Sequence, residues 1–161
     1  MEVHQSDDHG KEEGMTSKGL IKRLQSWTAK HPIAVYEKMA FLNLYCDADY
    51  VAVTLSGQVY EYEIKVSRGD YLRDKNKRRH KIYTDQIPGK KPNRFWYVTP
   101  PGVVNSDLPT YAGHILVYDE FGMREEVKAP LIWRGKHDVK TILQVAGAMR
   151  HRGDGRERRE Q

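Results

Sequence analysis

The 161-residue chain has a single cysteine, Cys46, so it can form no intramolecular disulfide. That points to a reducing compartment, and Cys46 is read as a half-buried thiol rather than a nucleophile. No apolar run approaches the roughly 18 residues of a membrane helix. The N-terminus also lacks the apolar stretch of a signal peptide. A cytoplasmic protein with no membrane partner is therefore expected. Internal repeats are absent as well, and the length fits one domain with tails. Apolar residues make up 39% of the chain, enough for a core, although the mean hydropathy of -0.77 is very polar.

The net charge of +5 hides a strong asymmetry. Residues 1–14 hold five acids and one lysine, whereas residues 65–94 hold eleven Lys/Arg and three acids. Residues 1–16 lack hydrophobic periodicity and are read as a disordered acidic tail. Residues 17–150 are read as the domain and 151–161 as a charged tail. The basic block suits a polyanion, because phosphate neutralisation supplies most non-specific nucleic-acid affinity. Its bland alternative is a solvated helix face.

Periodicity places the elements. Ser17 caps a helix to about residue 30, with Leu20, Ile21, Leu24 and Trp27 on one face, and His31-Pro32 ends it. Ile33, Val35, Glu37, Met39 and Phe41 alternate along a strand, with Glu37 the lone charge on that face. A hairpin spans about residues 50–55 and 58–66. Ser67 caps one helix over about residues 68–86, helped by Asp70. Arg94–Thr99 reads as an aromatic strand, His114–Asp119 as another, and Glu126–Ile132 as an edge strand. A last helix over His137–Arg150 turns Val139, Ile142, Leu143, Ala146 and Met149 inward. The order helix, three strands, helix, strand predicts a three-layer α/β domain.

The hairpin carries the chemistry. A three-residue loop, Leu55-Ser56-Gly57, puts glycine at the left-handed position such loops favour. Thr54 then faces Gln58, and counting back sets Asp49 opposite Glu63. Opposed residues hold their Cβ atoms about 4.5–5.5 Å apart. Lys65 shares their face by the period of two. A two-residue turn would shift the register by one and send Asp49 to the other face. Two carboxylates and a lysine at one sheet edge make a site for Mg²⁺-assisted hydrolysis of a phosphodiester, and Glu37 is read as buried beside that metal. Glu61, on the same face, is read as pairing with a basic neighbour. The alternative for the whole set is a cross-strand salt-bridge cluster.

These residues resemble the PD-(D/E)xK nuclease superfamily, and within it the MmcB-like DNA repair proteins and their phage relatives. The resemblance covers about residues 18–150. It rests on Glu37, Ala48-Asp49-Tyr50, Glu63-Ile64-Lys65-Val66-Ser67, Asp70-Tyr71, the strand Asn93–Pro100 and the small-residue step Ala112-Gly113. It departs in having Cys46-Asp47 before Asp49 where relatives often carry proline or an Arg-Arg pair, which makes Asp47 a competitor for metal. It also leaves open whether Lys75 or Lys77 matches the family's lysine.

The resemblance implies a restriction-endonuclease-like αβββαβ core with a mixed central sheet and a C-terminal helix. It implies a bacterial or phage-infected cell, DNA as partner, and a role in DNA repair, recombination or phage DNA metabolism; many enzymes of this fold form homodimers. Asp49, Glu63 and the Ile64 carbonyl would bind Mg²⁺, with Mn²⁺ able to substitute. Lys65 would orient water or offset developing charge, and Glu37 would be an outer ligand. Arg68, Lys75, Lys77, Arg78, His80 and Lys81 would touch DNA phosphates. Trp96 and Tyr97 are candidates for base stacking with at least one in the core, and His114 and His137 are read as structural. The competing class is a non-catalytic nucleic-acid-binding accessory module; an RNA nuclease is a third, weaker reading.

Overall fold

The computed structural model describes residues 15–39, 48–119 and 122–143, with the side chains of 33–39 excepted. Cys46, Asp47, Phe41, Ala146, Met149 and most of both expected tails lie outside the described residues. Helix α1 (Ser17–Trp27) starts one residue earlier than the expected Ser17 cap implies. Thr16 is the N-cap, and its hydroxyl accepts from Gly19 N at 3.2 Å. Leu20, Ile21 and Leu24 are buried, as their spacing predicts.

Six strands follow among the described residues: β1 (Ile33–Met39), β2 (Ala48–Val53), β3 (Val59–Ile64), β4 (Arg94–Thr99), β5 (Ala112–Val117) and β6 (Met123–Val127). They form one mixed sheet in sequence order. The pairs β1–β2, β2–β3 and β5–β6 are antiparallel, while β3–β4 and β4–β5 are parallel. A parallel pair needs a crossover, and two short helices, α2 (Arg68–Asp74) and α3 (Arg78–Tyr83), supply the one between β3 and β4.

The hairpin turn has the expected length. Thr54 N donates to Gln58 O, Gly57 N donates to Thr54 O, and Gly57 has φ +78°. Tyr50 pairs with Tyr62 and Val53 with Val59. The next pair outward in that register is Asp49 and Glu63. On the other side of β2 the ladder is irregular: Tyr36 pairs with Tyr50, but Met39 pairs with Ala48. Glu37 and Lys38 therefore face Asp49 alone, a β-bulge, and the expected strict alternation of β1 stops there.

The two faces of the sheet are covered by different helices. Leu20 and Leu24 of α1 pack with Tyr50, Tyr62, Trp96 and Ile115. Tyr71, Ile82 and Tyr83 of α2 and α3 pack with Phe95 and Tyr97. Neighbouring residues of a strand point to opposite faces, so Trp96 and Tyr97 separate the layers; both are buried and both belong to the core. Trp96 stacks on Tyr62, with centroids 5.1 Å apart at 14°. A Cβ at Gly113 would come within 2.5 Å of Trp96 and 2.6 Å of the Ala129 backbone, so any side chain at this strand step forces its neighbours to shift.

Three expectations need correction. The single helix over residues 68–86 is two helices, broken where Asn76 N and Lys77 N turn back onto the Arg73 and Asp74 carbonyls. The edge strand is Met123–Val127 rather than Glu126–Ile132; its bonds to β5 are used up before Ala129 turns into the core. The last helix begins at Val139, and the Asp138 carboxylate accepts from Thr141 N at 2.6 Å. That register buries Thr141 and leaves Val139 and Leu143 exposed, opposite to the inward face expected for them.

Candidate active site

The α2–α3 face of β3 presents Glu61, Glu63 and the following Lys65, all buried. Strand alternation brings them there, and the helix break sets Asp74, Lys77 and Arg79 against them. Glu63 is held on both oxygens. Arg79 donates to Oε2 at 2.7 Å and to Oε1 at 3.0 Å. Lys65 and Lys77 donate to Oε1 at 2.7 and 3.0 Å. Arg79, only 1% exposed, also donates to Glu61 Oε1 at 2.9 Å, and Tyr83 donates to Glu61 Oε2 at 2.6 Å. Glu61 thus has the basic neighbour expected for it.

Asp74 completes the cluster. One oxygen, Oδ2, lies 2.9 Å from the Tyr97 hydroxyl and 3.0 Å from His80 Nε2. The other, Oδ1, faces Lys77 at 2.6 Å, Lys65 at 3.3 Å and Arg79 at 3.7 Å. His80 Nδ1 lies 2.6 Å from the Tyr111 hydroxyl.

Burial is the largest influence on Glu63 and pushes its carboxyl pKa up; Asp49 and Asp74 add to the rise, while Arg79 and Lys65 oppose it. Three cations donating to its oxygens keep it an ionised acceptor. For Asp74 burial also works upward, but the His80 hydrogen bond and the charges of Arg79 and Lys65 outweigh it and hold it well below the carboxylate range. Arg79 loses to burial and gains more from Glu63 and Glu61, so its pKa is raised.

Asp49 is half-buried at the mouth of the hairpin, and its Oδ2 accepts from Ile64 N at 2.9 Å. Asp49, Glu63, Ile64 and Lys65 are therefore neighbours. Glu37 sits in the bulge opposite Asp49 by backbone; its side chain lies outside the described set.

The expected DNA contacts divide. Arg68 and Lys75 are engaged by Asp107, at 2.8–2.9 Å for the paired guanidinium bonds and 2.6 Å for the ammonium. Lys77 belongs to the carboxylate cluster. His80 is buried between Asp74 and Tyr111, which corrects its reading as an exposed phosphate contact. Arg78 and Lys81 are exposed on α3. Lys65 likewise has a packing duty that its strand-end position did not suggest. An open depression of about 350 Å³ adjoins the cluster, lined in part by Lys75, His80, Lys81 and Tyr111.

Asp74 and Arg79 went unremarked as site residues in the sequence, and Tyr97, a candidate for base stacking, instead donates from the core to Asp74. Asp74 and Arg79 stand five apart, a spacing that no single helix face brings together; only the break does. Among the described residues, no three acidic, histidine or cysteine side chains are gathered as around a metal ion. The oxygen donors Asp49, Glu63 and the Ile64 carbonyl are nevertheless of the kind that Mg²⁺ takes. Their fit depends on Glu63 giving up part of its present cation shell.

The fold has a solved counterpart. A protein of unknown function from Silicibacter pomeroyi, SPO1766, superposes with a TM-score of 0.61 over 86% of this chain and 87% of that one, at 17% identity. At that identity the likeness speaks for the mixed α/β fold alone. No protein-family model matches the chain, and no curated protein matches it.

Proposed function

We propose that the protein is a metal-dependent nuclease of the PD-(D/E)xK type, hydrolysing phosphodiester bonds in DNA on a three-layer, restriction-endonuclease-like core. The observation that carries the reading is the hairpin register. Continued one step beyond Tyr50–Tyr62, it brings Asp49 opposite Glu63, and the Lys65 ammonium lies 2.7 Å from Glu63. Asp49, Glu63 and the Ile64 carbonyl would hold Mg²⁺ or Mn²⁺. When bound, the ion would lower the pKa of water and polarise a phosphoryl oxygen.

The chain's own side chains prepare that site. Ile64 N–H fixes the Asp49 carboxylate, and Arg79 fixes Glu63 with two bonds. Glu63 and Asp74 together aim the Lys65 ammonium, so it is preorganised to meet charge developing on the phosphoryl group. Arg78 and Lys81 offer exposed charge for backbone phosphates, which position nucleic acid without reading sequence.

One observation favours the second reading, a binding module without catalysis: both Glu63 oxygens are already engaged by cations. The deciding experiment incubates single-stranded, duplex, flapped and branched DNA with the wild type and Asp49→Asn, in Mg²⁺, Mn²⁺ or EDTA. Asn keeps an oxygen for Ile64 N–H, so the fold and the DNA affinity are expected to stay. Metal-dependent cleavage is expected in the wild type and should vanish in the variant. Lys65→Ala should cut the rate by about 10²–10³ and also lower the melting temperature, because Glu63 and Asp74 lose a buried partner. DNA binding with no cleavage under any metal would put the binding module in its place.

A further inference from the structure

Resting on the metal-dependent reading, we propose that the Lys77 ammonium is a removable internal cation that holds the metal position, and that Asp74 is a further carboxylate ligand of the ion that replaces it. The three cations around Glu63 differ in how they are held. Lys65 and Arg79 are buried, at 5% and 1% exposure, whereas the Lys77 side chain is 43% exposed. Lys77 alone of the three can leave without opening the core. It stands at the N-cap of α3, in the break after α2, and its side chain makes no capping bond there. Rotation of its stem therefore costs neither helix a hydrogen bond.

Its ammonium bridges Glu63 Oε1 at 3.0 Å and Asp74 Oδ1 at 2.6 Å. The Asp74 side chain is wholly buried, and its Oδ1 faces three cations, Lys77, Lys65 and Arg79, at 2.6, 3.3 and 3.7 Å. Its other oxygen is already served by His80 and Tyr97. A carboxylate oxygen that faces side-chain cations is of the kind a hard cation takes. Charge points the same way. Asp49, Glu61, Glu63 and Asp74 against Lys65, Lys77 and Arg79 leave one negative charge. Without Lys77 two remain, the charge of one divalent ion.

The test is calorimetric titration of the full chain with MnCl₂, without DNA. Lys77→Met should bind Mn²⁺ about tenfold or more tightly than the wild type, because a unit charge a few Å away is worth kcal/mol in a half-buried site. Lys77→Gln should show the same direction if the methionine variant folds poorly. Lys128→Met, which removes an exposed charge on the segment after β6, should leave the affinity unchanged. Asp74→Asn in the Lys77→Met background should erase the gain. Equal Mn²⁺ affinity in wild type and both Lys77 variants, with Asp49→Asn still abolishing binding, would overturn the role of Lys77 and leave the metal reading standing. A gain that survives Asp74→Asn would remove Asp74 as a ligand. No Mn²⁺ binding by any variant would overturn this inference and the metal reading together.

Discussion

Strand β3 serves two unlike layers with alternate residues. Toward α1 it sends Tyr60, Tyr62 and Ile64, into a face of stacked aromatic and aliphatic side chains. Toward α2 and α3 it sends Glu61 and Glu63, with Lys65 just beyond, into a face where carboxylates, ammonium groups and a guanidinium are buried together. Both faces exclude water to a similar degree. They differ in why they do so. Burying apolar surface drives folding, whereas a buried ion pair often stabilises no more than well-packed apolar residues of the same volume. Two of the six residues of β3 are buried carboxylates, an arrangement with no evident advantage in stability over apolar packing, and that contrast is the physical reason to take this face as the candidate site.

The largest effect is expected at the ionic face. Arg79→Met leaves Glu61 and Glu63 buried without their shared cation and should destabilise by about 3–5 kcal/mol in urea unfolding. Adding Glu61→Leu and Glu63→Leu should recover most of that loss. Failure to recover would mean that the ionic face contributes to folding on its own account, and the contrast between the layers would break. At the apolar face, Leu24→Ala should cost about 3 kcal/mol through lost burial and a residual cavity. It should leave Mn²⁺ affinity untouched; a changed affinity would show that the layers are coupled.

Gly113→Ala places a methyl against Trp96 and the Ala129 backbone. It should cost about 1–3 kcal/mol as overpacking, read as a lower denaturant midpoint with an unchanged slope. The smallest effect concerns pH. Burial lowers the pKa of His114, with Glu126 opposing. The unfolded chain therefore takes up a proton near its ordinary value of 6.5 before the native state does. Stability contributed by neutral His114 is present above that pH and is lost as pH falls toward the native value. His114→Gln should flatten the melting temperature between about pH 7 and 5.

Local rules made one layer readable and left the other obscure. The loop Leu55-Ser56-Gly57 fixed the pairing of Asp49 with Glu63 because glycine geometry and a period of two operate within fifteen residues. The buried stripe Leu20, Ile21, Leu24 was legible for the same reason, and so were the limits of Arg94–Thr99, bounded by Asn93 and Pro100. The break at Lys75-Asn76-Lys77 carries neither glycine nor proline, so nothing local announces it. Arg79 and His80 sit in a run of basic residues that reads as solvated surface. Their burial depends on carboxylates from β3 and from Asp74, which become neighbours only after the chain has folded. Part of the run that promised a broad DNA-facing surface, Lys65, Arg68, Lys75, Lys77 and Arg79, is thereby engaged from within by Glu61, Glu63, Asp74 and Asp107.

The bond from Ile64 N–H to the Asp49 side chain has a consequence for how this site can decay over evolution. Position 49 answers to two demands at once, closing the end of the hairpin and bringing a negative charge. Only the second is chemical. Under the proposed nuclease reading, a lineage that abandoned catalysis would still be held to a short side chain with an oxygen there, and asparagine would satisfy the fold while silencing the site. On that reading, an Asp-to-Asn exchange at this one position would separate active from inactive sequences that share the hairpin, with every surrounding residue left in place.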